Sequence, residues 1–216
     1  MRLHAYYRSS TSYRVRIALN LKGLEYETVP VNLLTAEQRG DPFRALNPFG
    51  GVPMLEVDGR HYAQSMAIME WLDERYPNRP LLPQDTEDRF AARELAYAIA
   101  TELHAPLNLP VLQYLRHELG QDQPAVDRWY HTWLAKTLGP LERRLERHGS
   151  GDFLFDGPCM FEALLIPQLY NARRFTFDLA SYPRATRIEA ACLQLPAFIA
   201  AHPDNQPDSP KDIHQP

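Results

Sequence analysis

The chain has 216 residues, enough for one large domain or two modest ones, and 44% of them are hydrophobic while 23% are charged. The formal net charge of −4 argues against a general nucleic-acid or membrane-surface binder, so an anionic substrate would need arginines placed close to it. No apolar run approaches the ~20 residues of a membrane-spanning helix, and Cys159 and Cys192 form no metal-binding or redox motif.

The chain begins with a β-rich run and a helical pattern that are joined by hydroxyl residues. Residues 3–7 predict a strand, and the apolar spacing from 12 to 22 predicts a helix that stops at Gly23. Because a helix start carries unpaired N–H groups and partial positive charge, hydroxyls there either only cap the helix or also hold an anion such as a thiolate. The hydroxyl residues between the two elements are Ser9, Ser10, Thr11 and Ser12.

A second strand and a hairpin complete the pattern of the first third. Residues 26–32 are β-rich, but Pro30 confines that strand to a sheet edge. The stretch at 47–53 is predicted to be a loop from its composition. The other elements expected here are one helical turn at 43–46, strands at 54–57 and 60–63 joined by Asp58-Gly59, and a helix over 66–76 with Ser65 as its N-cap.

A proline-rich stretch at 77–85 separates this mixed pattern from a purely helical one. The tail from residue 202 carries Pro203, Pro207, Pro210 and Pro216, which indicates an extended or partly loose segment. The helices expected in between cover 87–103, 111–119, 124–145, 161–175, 184–193 and 197–201, with a kink at Gly139-Pro140. This order predicts a thioredoxin-like α/β domain over 1–80, followed by an all-helical domain over 88–216.

The run RSSTSYRVRIAL at residues 8–19 resembles the SSCxxRVRIAL signature of the zeta-class glutathione transferases, a family that includes maleylacetoacetate isomerases and glutathione-dependent maleylpyruvate isomerases. Further motifs follow in the family's order and extend the resemblance over essentially the whole chain. They are ALNP at 45–48, Val52-Pro53, Gln64-Ser65, PQ at 167–168, NARRF at 171–175 and QPD at 206–208. The resemblance implies the glutathione transferase fold, with a helical bundle as the second domain, and glutathione as the cofactor.

The resemblance also implies a glutathione site that lies mainly in the first domain. Val52-Pro53 is expected to carry a cis peptide bond that turns the Val52 backbone toward the cysteinyl part of glutathione. The γ-glutamyl end falls to Gln64 and Ser65, and the glycyl end to Gln38. In the second domain, His104 and Asn108 match positions that also touch glutathione, although a lone histidine on an apolar helix is as often a packed core residue.

The implied reaction is the cis–trans isomerisation of a maleyl-type diacid, maleylacetoacetate or maleylpyruvate, in the catabolism of aromatic compounds. The family places the stabilisation of the thiolate on the first serine, which is Ser9, with Ser10 and Thr11 in support. The two carboxylates of the substrate need cations, and the candidates are Arg8 and Arg174, with Arg173 a weaker one. The alternative for each arginine is a surface or interdomain salt bridge.

Three departures from the family pattern bear on these expectations. The pair Gly50-Gly51 before Val52 is unusual for the family and is expected to loosen that loop. Thr11 stands where many zeta members have cysteine, which argues against a thiol transferase and favours the maleylpyruvate isomerases. The helix after Pro158 starts with Cys159-Met160-Phe161-Glu162 instead of Ser/Thr-x-x-Asp, a poorer cap in which Glu162 keeps the reciprocal half of a capping box.

Two other functions remain open at this point. One is a general glutathione transferase that acts on electrophilic or α-halo acids, and the other is a non-catalytic binding protein with the transferase fold. The retained Arg8, Ser9, Pro53, Gln64 and Ser65 argue against the second. The family forms homodimers, and the partners otherwise expected are small dicarboxylates, with no metal, nucleic acid or membrane. Few cysteines and a start without an apolar signal core favour the cytoplasm.

Overall fold

The computed structural model describes residues 1–210, and the predicted loose tail beyond them, with Pro216, lies outside the described residues. The described chain divides into two compact units, one formed by 1–81 with 193–210 and the other by 82–192. The predicted helical domain over 88–216 differs from this division, because 193–210 packs with the first unit. The Asn20 amide donates to the Ala197 carbonyl at 2.9 Å, and Arg16 Nε donates to the Ala201 carbonyl at 3.0 Å.

The first unit contains a four-stranded sheet. In chain order the unit comprises β1 (Arg2–Ala5), α1 (Ser10–Lys22), β2 (Glu27–Pro30), a 3₁₀ turn (Glu37–Arg39), α2 (Asp41–Leu46), β3 (Met54–Val57), β4 (Arg60–Ala63) and α3 (Ser65–Arg75). The strands lie in the order β2-β1-β3-β4, with β2 parallel and β3 antiparallel to β1. This confirms the thioredoxin-like arrangement and the edge position of the strand that ends at Pro30, where a missing N–H breaks no inner ladder.

The predicted hairpin at Asp58-Gly59 and the predicted helix end at Gly23 are both confirmed, and all three residues have positive φ. Asp58 at φ 50° and Gly59 at φ 73° join β3 to β4, and Met54 pairs with Ala63 across the hairpin. Gly23 ends α1 at φ 67°, a conformation that glycine adopts without strain because it has no Cβ. Its N–H donates to the carbonyls of Asn20 and Leu19.

The start of α1 differs from the prediction. The helix begins at Ser10, two residues before the predicted start, and β1 ends at Ala5 instead of at Tyr7. Residues 6–9 form a turn that is closed by a 3.1 Å hydrogen bond from the Ser9 N–H to the Tyr6 carbonyl. This turn leads directly from the strand into the helix.

The prediction that Ser65 caps α3 was wrong. Ser65 is the first residue of the helix, and Gln64 is the N-cap, at φ 68° and without a side-chain capping bond. The reason is the short connection, because Gln64 is the single residue between β4 and α3. Its left-handed backbone turns the chain from strand to helix in one step, so the next residue is already helical.

The core of the first unit consists of apolar side chains from the sheet and from α1 and α3. These side chains are fully buried, as the interior of a mixed sheet and helix layer requires. They include Leu3, Val15, Leu19, Leu55, Ile68 and Leu72.

The second unit is helical. It comprises α4 (Thr86–Tyr97), a π-helical stretch (Ala98–His104), α5 (Ala105–Leu107), α6 (Leu109–His117), α7 (Gln123–Arg147), α8 (Met160–Arg174) and α9 (Pro183–Cys192). Helix α7 is continuous through Pro140, and the kink expected there stays a prediction. Within residues 1–210, no helix combines the length and apolar character needed to cross a membrane.

The start of α8 confirms the role expected of Glu162. This fully buried carboxylate accepts the Cys159 N–H at 2.8 Å and the Leu154 N–H at 2.7 Å. Burial raises the pKa of Glu162, and these two backbone hydrogen bonds lower it in part. One side chain thus satisfies buried donors of the helix start and of the preceding loop.

The C-terminal segment after α9 contains α10 (Pro196–Ala201) and a 3₁₀ turn (Pro203–Asn205), and it belongs to the first unit. The expectation of an extended or loose tail was wrong for residues 202–209. Gln206 is buried, and its Nε2 donates to the carbonyls of Ala200 and His202, each at 2.9 Å. The two hydrogen bonds of Gln206 hold the segment in place, and no local sequence pattern predicts them.

Candidate active site

The turn of residues 6–9 delivers Ser9 to the N-terminus of α1. Ser9 is the N-cap, and its Oγ accepts the Ser12 N–H at 3.2 Å. The prediction that one of the hydroxyl residues caps this helix is therefore confirmed, and the cap is Ser9. Since the side chain is half-buried, its hydroxyl lies beside the unpaired N–H groups and partial positive charge of the helix start.

Thr11 connects Ser9 to the loop that contains Pro53. Its hydroxyl donates to the Val52 carbonyl at 2.9 Å and lies 2.9 Å from Ser9 Oγ. Because a carbonyl only accepts, the Thr11 proton goes to Val52, and Ser9 is the donor in its bond to Thr11. In this series of hydrogen bonds, from Ser9 to Thr11 to Val52, each bond polarises the next. Ser10 is the buried first residue of α1, and its supporting role stays a prediction.

The Val52-Pro53 peptide bond is cis, as predicted. The loop that leads to it is braced by the buried Asn47, whose Nδ2 donates to the Gly51 carbonyl at 2.7 Å and whose Oδ1 accepts the Phe49 N–H at 3.2 Å. These two bonds support the loop beside the glycine pair, and the expected loosening stays a prediction. Asn47 was noticed only as part of a motif, and its bracing role depends on contacts within the folded loop.

Gly50 is required by the geometry of the same loop. Its φ is +60°, and a Cβ there would lie 3.1 Å from the Gln38 carbonyl oxygen and 3.4 Å from Arg44 Nε. This close approach brings Gln38, the predicted contact for the glycyl end, against the loop. The Gln38 side chain is buried, and its Oε1 has no hydrogen-bond partner within residues 1–210. A buried amide oxygen of this kind suits a peptide N–H.

Helix α3 starts without a side-chain cap, so the capping hydroxyl of α1 has no counterpart here. Its first N–H groups thus remain for another acceptor. Gln64 is exposed and holds a left-handed φ, a strained conformation for a residue other than glycine. Ser65 is buried, and its Oγ accepts a hydrogen bond from Arg14 Nη1 at 3.4 Å.

Arg14 adds a cation to this helix start. It is 1% exposed, and its Nε and Nη2 have no hydrogen-bond partner among the described residues. Burial lowers the pKa of Arg14 to about 10, so the guanidinium is charged at neutral pH. No carboxylate within 1–210 forms an ion pair with it. A buried cation is costly unless an anion joins it, so the start of α3 is suited to a carboxylate.

Arg14 was missed as a site residue, although it belongs to the quoted motif. The available signal was a charged side chain between Tyr13 and Val15, both on the buried face of α1. A cation on an apolar helix face is rare without a partner.

Arg8 lies in the turn before Ser9. It is half-buried, and its guanidinium lies 5.6 Å from the centroid of the Tyr7 ring. No carboxylate of residues 1–210 forms an ion pair with it, so the salt-bridge alternative is not observed in the described chain. Burial raises the pKa of Tyr6 to about 12, while the nearby charge of Arg8 opposes that rise. The cation is thus available to an anion.

His104 and Asn108 lie at helix junctions of the second unit. His104 ends the π-helical stretch, a conformation that is frequent at functional sites. Asn108 caps α6, and its Oδ1 accepts the Val111 N–H at 3.1 Å. Contacts of His104 and Asn108 with glutathione stay predictions.

Two arginines end α8, and they differ in their partners. Arg173 forms a two-pronged ion pair with Glu189, so the salt-bridge alternative is observed for this weaker candidate. Arg174 is exposed, and its Nη1 donates to Asn171 Oδ1 at 3.0 Å. The role of Arg174 in binding substrate stays a prediction.

The chain's own thiols are unsuited to nucleophilic chemistry. Cys159 and Cys192 are both buried and free, and burial raises the pKa of each. A reactive thiolate at this site therefore has to come from a bound thiol. Within residues 1–210, no group of three or more His, Cys, Asp or Glu side chains is placed to hold a metal ion.

The first unit thus offers three kinds of contact that fit glutathione. A hydroxyl at a positive helix end suits a thiolate, and the loop at the cis bond suits a peptide. The uncapped start of α3, with its buried cation, suits a carboxylate.

Comparisons with known proteins agree with this chemistry. The family described as "Glutathione S-transferase, N-terminal domain" matches residues 8–75. A maleylpyruvate isomerase of a Ralstonia species is 42% identical over 211 residues, which cover 97% of this chain and 100% of that protein. The holo structure of a maleylpyruvate isomerase, described as a bacterial zeta-class glutathione S-transferase, matches with a TM-score of 0.95 at 42% identity, over 97% of this chain and 100% of that chain.

A third comparison is with a structure that holds ligands. It is the maleylacetoacetate isomerase from Methylobacterium extorquens AM1 with bound malonate and glutathione. The TM-score is 0.92 at 36% identity, over 97% of this chain and 100% of that chain.

Proposed function

The chain belongs to the zeta-class glutathione transferases, the family of the maleylacetoacetate and maleylpyruvate isomerases, and from this premise we propose how its residues serve a glutathione-dependent isomerisation. The protein is a glutathione-dependent cis–trans isomerase of a maleyl-type diacid. The observation that carries the proposed mechanism is the Ser9 hydroxyl at the start of α1, linked through Thr11 to the cis Val52-Pro53 bond.

We assign the parts of glutathione to residues of the first unit. Ser9 binds the thiol, Val52 binds the backbone of the cysteinyl residue, and Gln38 binds the glycyl end. The γ-glutamyl carboxylate falls to Ser65 and Arg14, with Gln64 beside them, because the start of α3 combines free N–H groups with a buried cation. His104 and Asn108 are the contacts that we assign to the second unit.

Bound glutathione supplies a thiolate that adds reversibly to the double bond of the diacid and thereby permits rotation. The task of Ser9 is to keep that sulfur charged. A thiol with a pKa of ~8.5 is only ~3% ionised at pH 7, and lowering the pKa by two units takes about 2.7 kcal/mol. A hydrogen bond to a charged group contributes about 1.5–3 kcal/mol. A helix start adds roughly 0.3–1 kcal/mol, and the combined range of about 1.8–4 kcal/mol includes the required amount.

The hydrogen-bond directions around Ser9 support this role. Its single hydroxyl proton points to Thr11 in the structure and is free to turn to an anionic sulfur. The Ser12 N–H continues to donate to Ser9 Oγ, which makes the hydroxyl a stronger donor. Thr11 keeps its bond to Val52 throughout, so the cis bond stays tied to α1.

Arg8 and Arg174 hold the two carboxylates of the diacid in this proposal. Arg8 has no carboxylate partner within residues 1–210, and a guanidinium fork matches a carboxylate in geometry as well as charge. Thr11 in place of cysteine favours maleylpyruvate over maleylacetoacetate.

We also propose a cytoplasmic homodimer. Phe90 is a large apolar side chain that is 62% exposed on α4, and a partner subunit would cover it. Free thiols at both cysteines suit a reducing compartment. Light scattering after gel filtration tests the dimer, and a monomeric mass at micromolar concentration would contradict it.

A turnover assay tests the function. Maleylpyruvate and maleylacetoacetate are each incubated with the protein, with and without glutathione, beside an α-halo acid as a conjugation substrate. We expect isomerisation only with glutathione, and at least a tenfold loss in Ser9→Ala, while Ser150→Ala in an exposed loop serves as the matched control. Conjugation without isomerisation would indicate a general transferase. Glutathione binding with neither activity would indicate a binding protein.

A further inference from the structure

The turn of residues 6–9 is held by side chains from outside it, one from α1 and one from the C-terminal segment. Inside the turn, the Ser9 N–H donates to the Tyr6 carbonyl at 3.1 Å. The Tyr7 N–H donates to Asp208 Oδ2 at 2.8 Å, across 201 residues of sequence. The Tyr7 carbonyl accepts from Arg16 Nη2 at 2.9 Å. Two side chains, those of Asp208 and Arg16, therefore hold the backbone N–H and carbonyl of Tyr7.

Arg16 joins the two halves of this arrangement. It is fully buried, and besides Tyr7 it donates through Nε to the Ala201 carbonyl at 3.0 Å. The C-terminal segment thus contributes both an acceptor for Arg16 and the carboxylate of Asp208. Neither group belongs to the glutathione contacts assigned above.

Asp208 stands on a segment that is held by its own hydrogen bonds. The buried Gln206 donates to two carbonyls of the segment, and its own carbonyl accepts the Ser209 N–H at 3.1 Å. Only the Oδ2 atom of Asp208 has a hydrogen-bond partner within 1–210, and that partner is the Tyr7 N–H. The carboxylate is thus presented to the turn in a fixed position.

We propose that Asp208 is a positioning residue for Ser9 and Arg8, which acts by holding the Tyr7 N–H and so the turn that carries both side chains. This inference rests on the proposed function. A hydroxyl stabilises a thiolate only within a narrow range of distance and angle, so a turn that relaxes by a fraction of an ångström weakens the effect. Through Asp208, the QPD motif of the C-terminal segment thus supports the site at the start of α1.

The test compares Asp208→Ala with Asp208→Asn. Alanine removes the acceptor, whereas asparagine keeps a neutral carbonyl oxygen at the same place. Asp204→Ala is the control, because it makes the same change on the exposed side of the segment. If the alanine variant does not fold, Asp208→Ser, whose hydroxyl is too short to reach Tyr7, takes its place.

Two measurements are made without turnover. Hydrogen–deuterium exchange in the free protein reports the Tyr7 amide, and we expect it to exchange about tenfold faster in Asp208→Ala. Ultraviolet titration of bound glutathione reports its thiol, and we expect the thiol pKa to rise by about one unit, with kcat falling more than KM changes. Asp208→Asn and Asp204→Ala are expected to stay within about twofold of the unaltered protein in each readout.

Three outcomes would overturn the proposal. Unchanged exchange at Tyr7 would show that Asp208 does not hold the turn. Faster exchange with an unchanged thiol pKa would show that the bond is only structural. Equal losses in the asparagine and alanine variants would assign the effect to charge. Absence of isomerase turnover in the unaltered protein would instead refute the proposed function, and the exchange and titration data would still decide the role of Asp208.

Discussion

Replacing Gly50 with alanine is expected to destabilise the protein, whereas the same change at the neighbouring Gly51 is expected to stabilise it slightly. Gly50 has φ +60°, which costs an alanine about 1–2 kcal/mol. Its new Cβ would also lie 3.1 Å from the Gln38 carbonyl oxygen, so the backbone has to give way. At Gly51 φ lies outside the left-handed range and no heavy atom lies within 4 Å of the added Cβ. Alanine there gains about 0.4–1 kcal/mol from a more restricted unfolded chain.

Thermal unfolding and glutathione titration measure this difference. For a chain of this size, we expect Gly50→Ala to lower Tm by roughly 2–8 °C and Gly51→Ala to raise it by roughly 1–4 °C. Gly50→Ala is also expected to weaken glutathione binding roughly fivefold, since it displaces Gln38. Shifts of the same sign and size in both variants would refute this account of the loop, as would unchanged glutathione affinity in Gly50→Ala.

Three further expectations follow from buried groups. Arg14→Met should raise the Kd for glutathione at least tenfold, as measured by calorimetry, and Arg14→Lys should give an intermediate Kd. An unchanged Kd in Arg14→Met would show that Arg14 does not bind glutathione. Because burial raises the pKa of Cys159 and Cys192, neither should react with a disulfide reagent in the folded protein at pH 8, and rapid native labelling would contradict that burial. Glu162→Ala should lower the free energy of unfolding by about 2–5 kcal/mol in a denaturant titration, because it strips two buried N–H groups of their acceptor. The exposed Glu146→Ala is its control, and equal losses in the two variants would count against the argument.

Local signals in the sequence were sufficient for much of the first unit. The hairpin at Asp58-Gly59 and the helix end at Gly23 depend on residues that adopt positive φ, and such residues are visible in the sequence. The edge strand was readable because Pro30 lacks an N–H. The cis bond at Pro53 was different, since only the resemblance to a family implied it.

The rest depended on contacts between distant residues. The cap of α3 was misassigned because the single-residue connection at Gln64, with its left-handed φ, becomes visible only in three dimensions. The tail was misjudged because its prolines suggest looseness, while Gln206 and Asp208 tie it down. Arg14 was overlooked as a site residue since its burial beside Ser65 results from the packing of α1 on α3.

Titration of the thiol of bound glutathione by its thiolate absorbance tests the central claim most directly. We expect a thiol pKa near 6.5 in the unaltered protein, about two units below the ordinary value, and a return toward about 8.5 in Ser9→Ala. A bound thiol that stays protonated at neutral pH would contradict the account. So would a lowered pKa that persists when the Ser9 hydroxyl is removed.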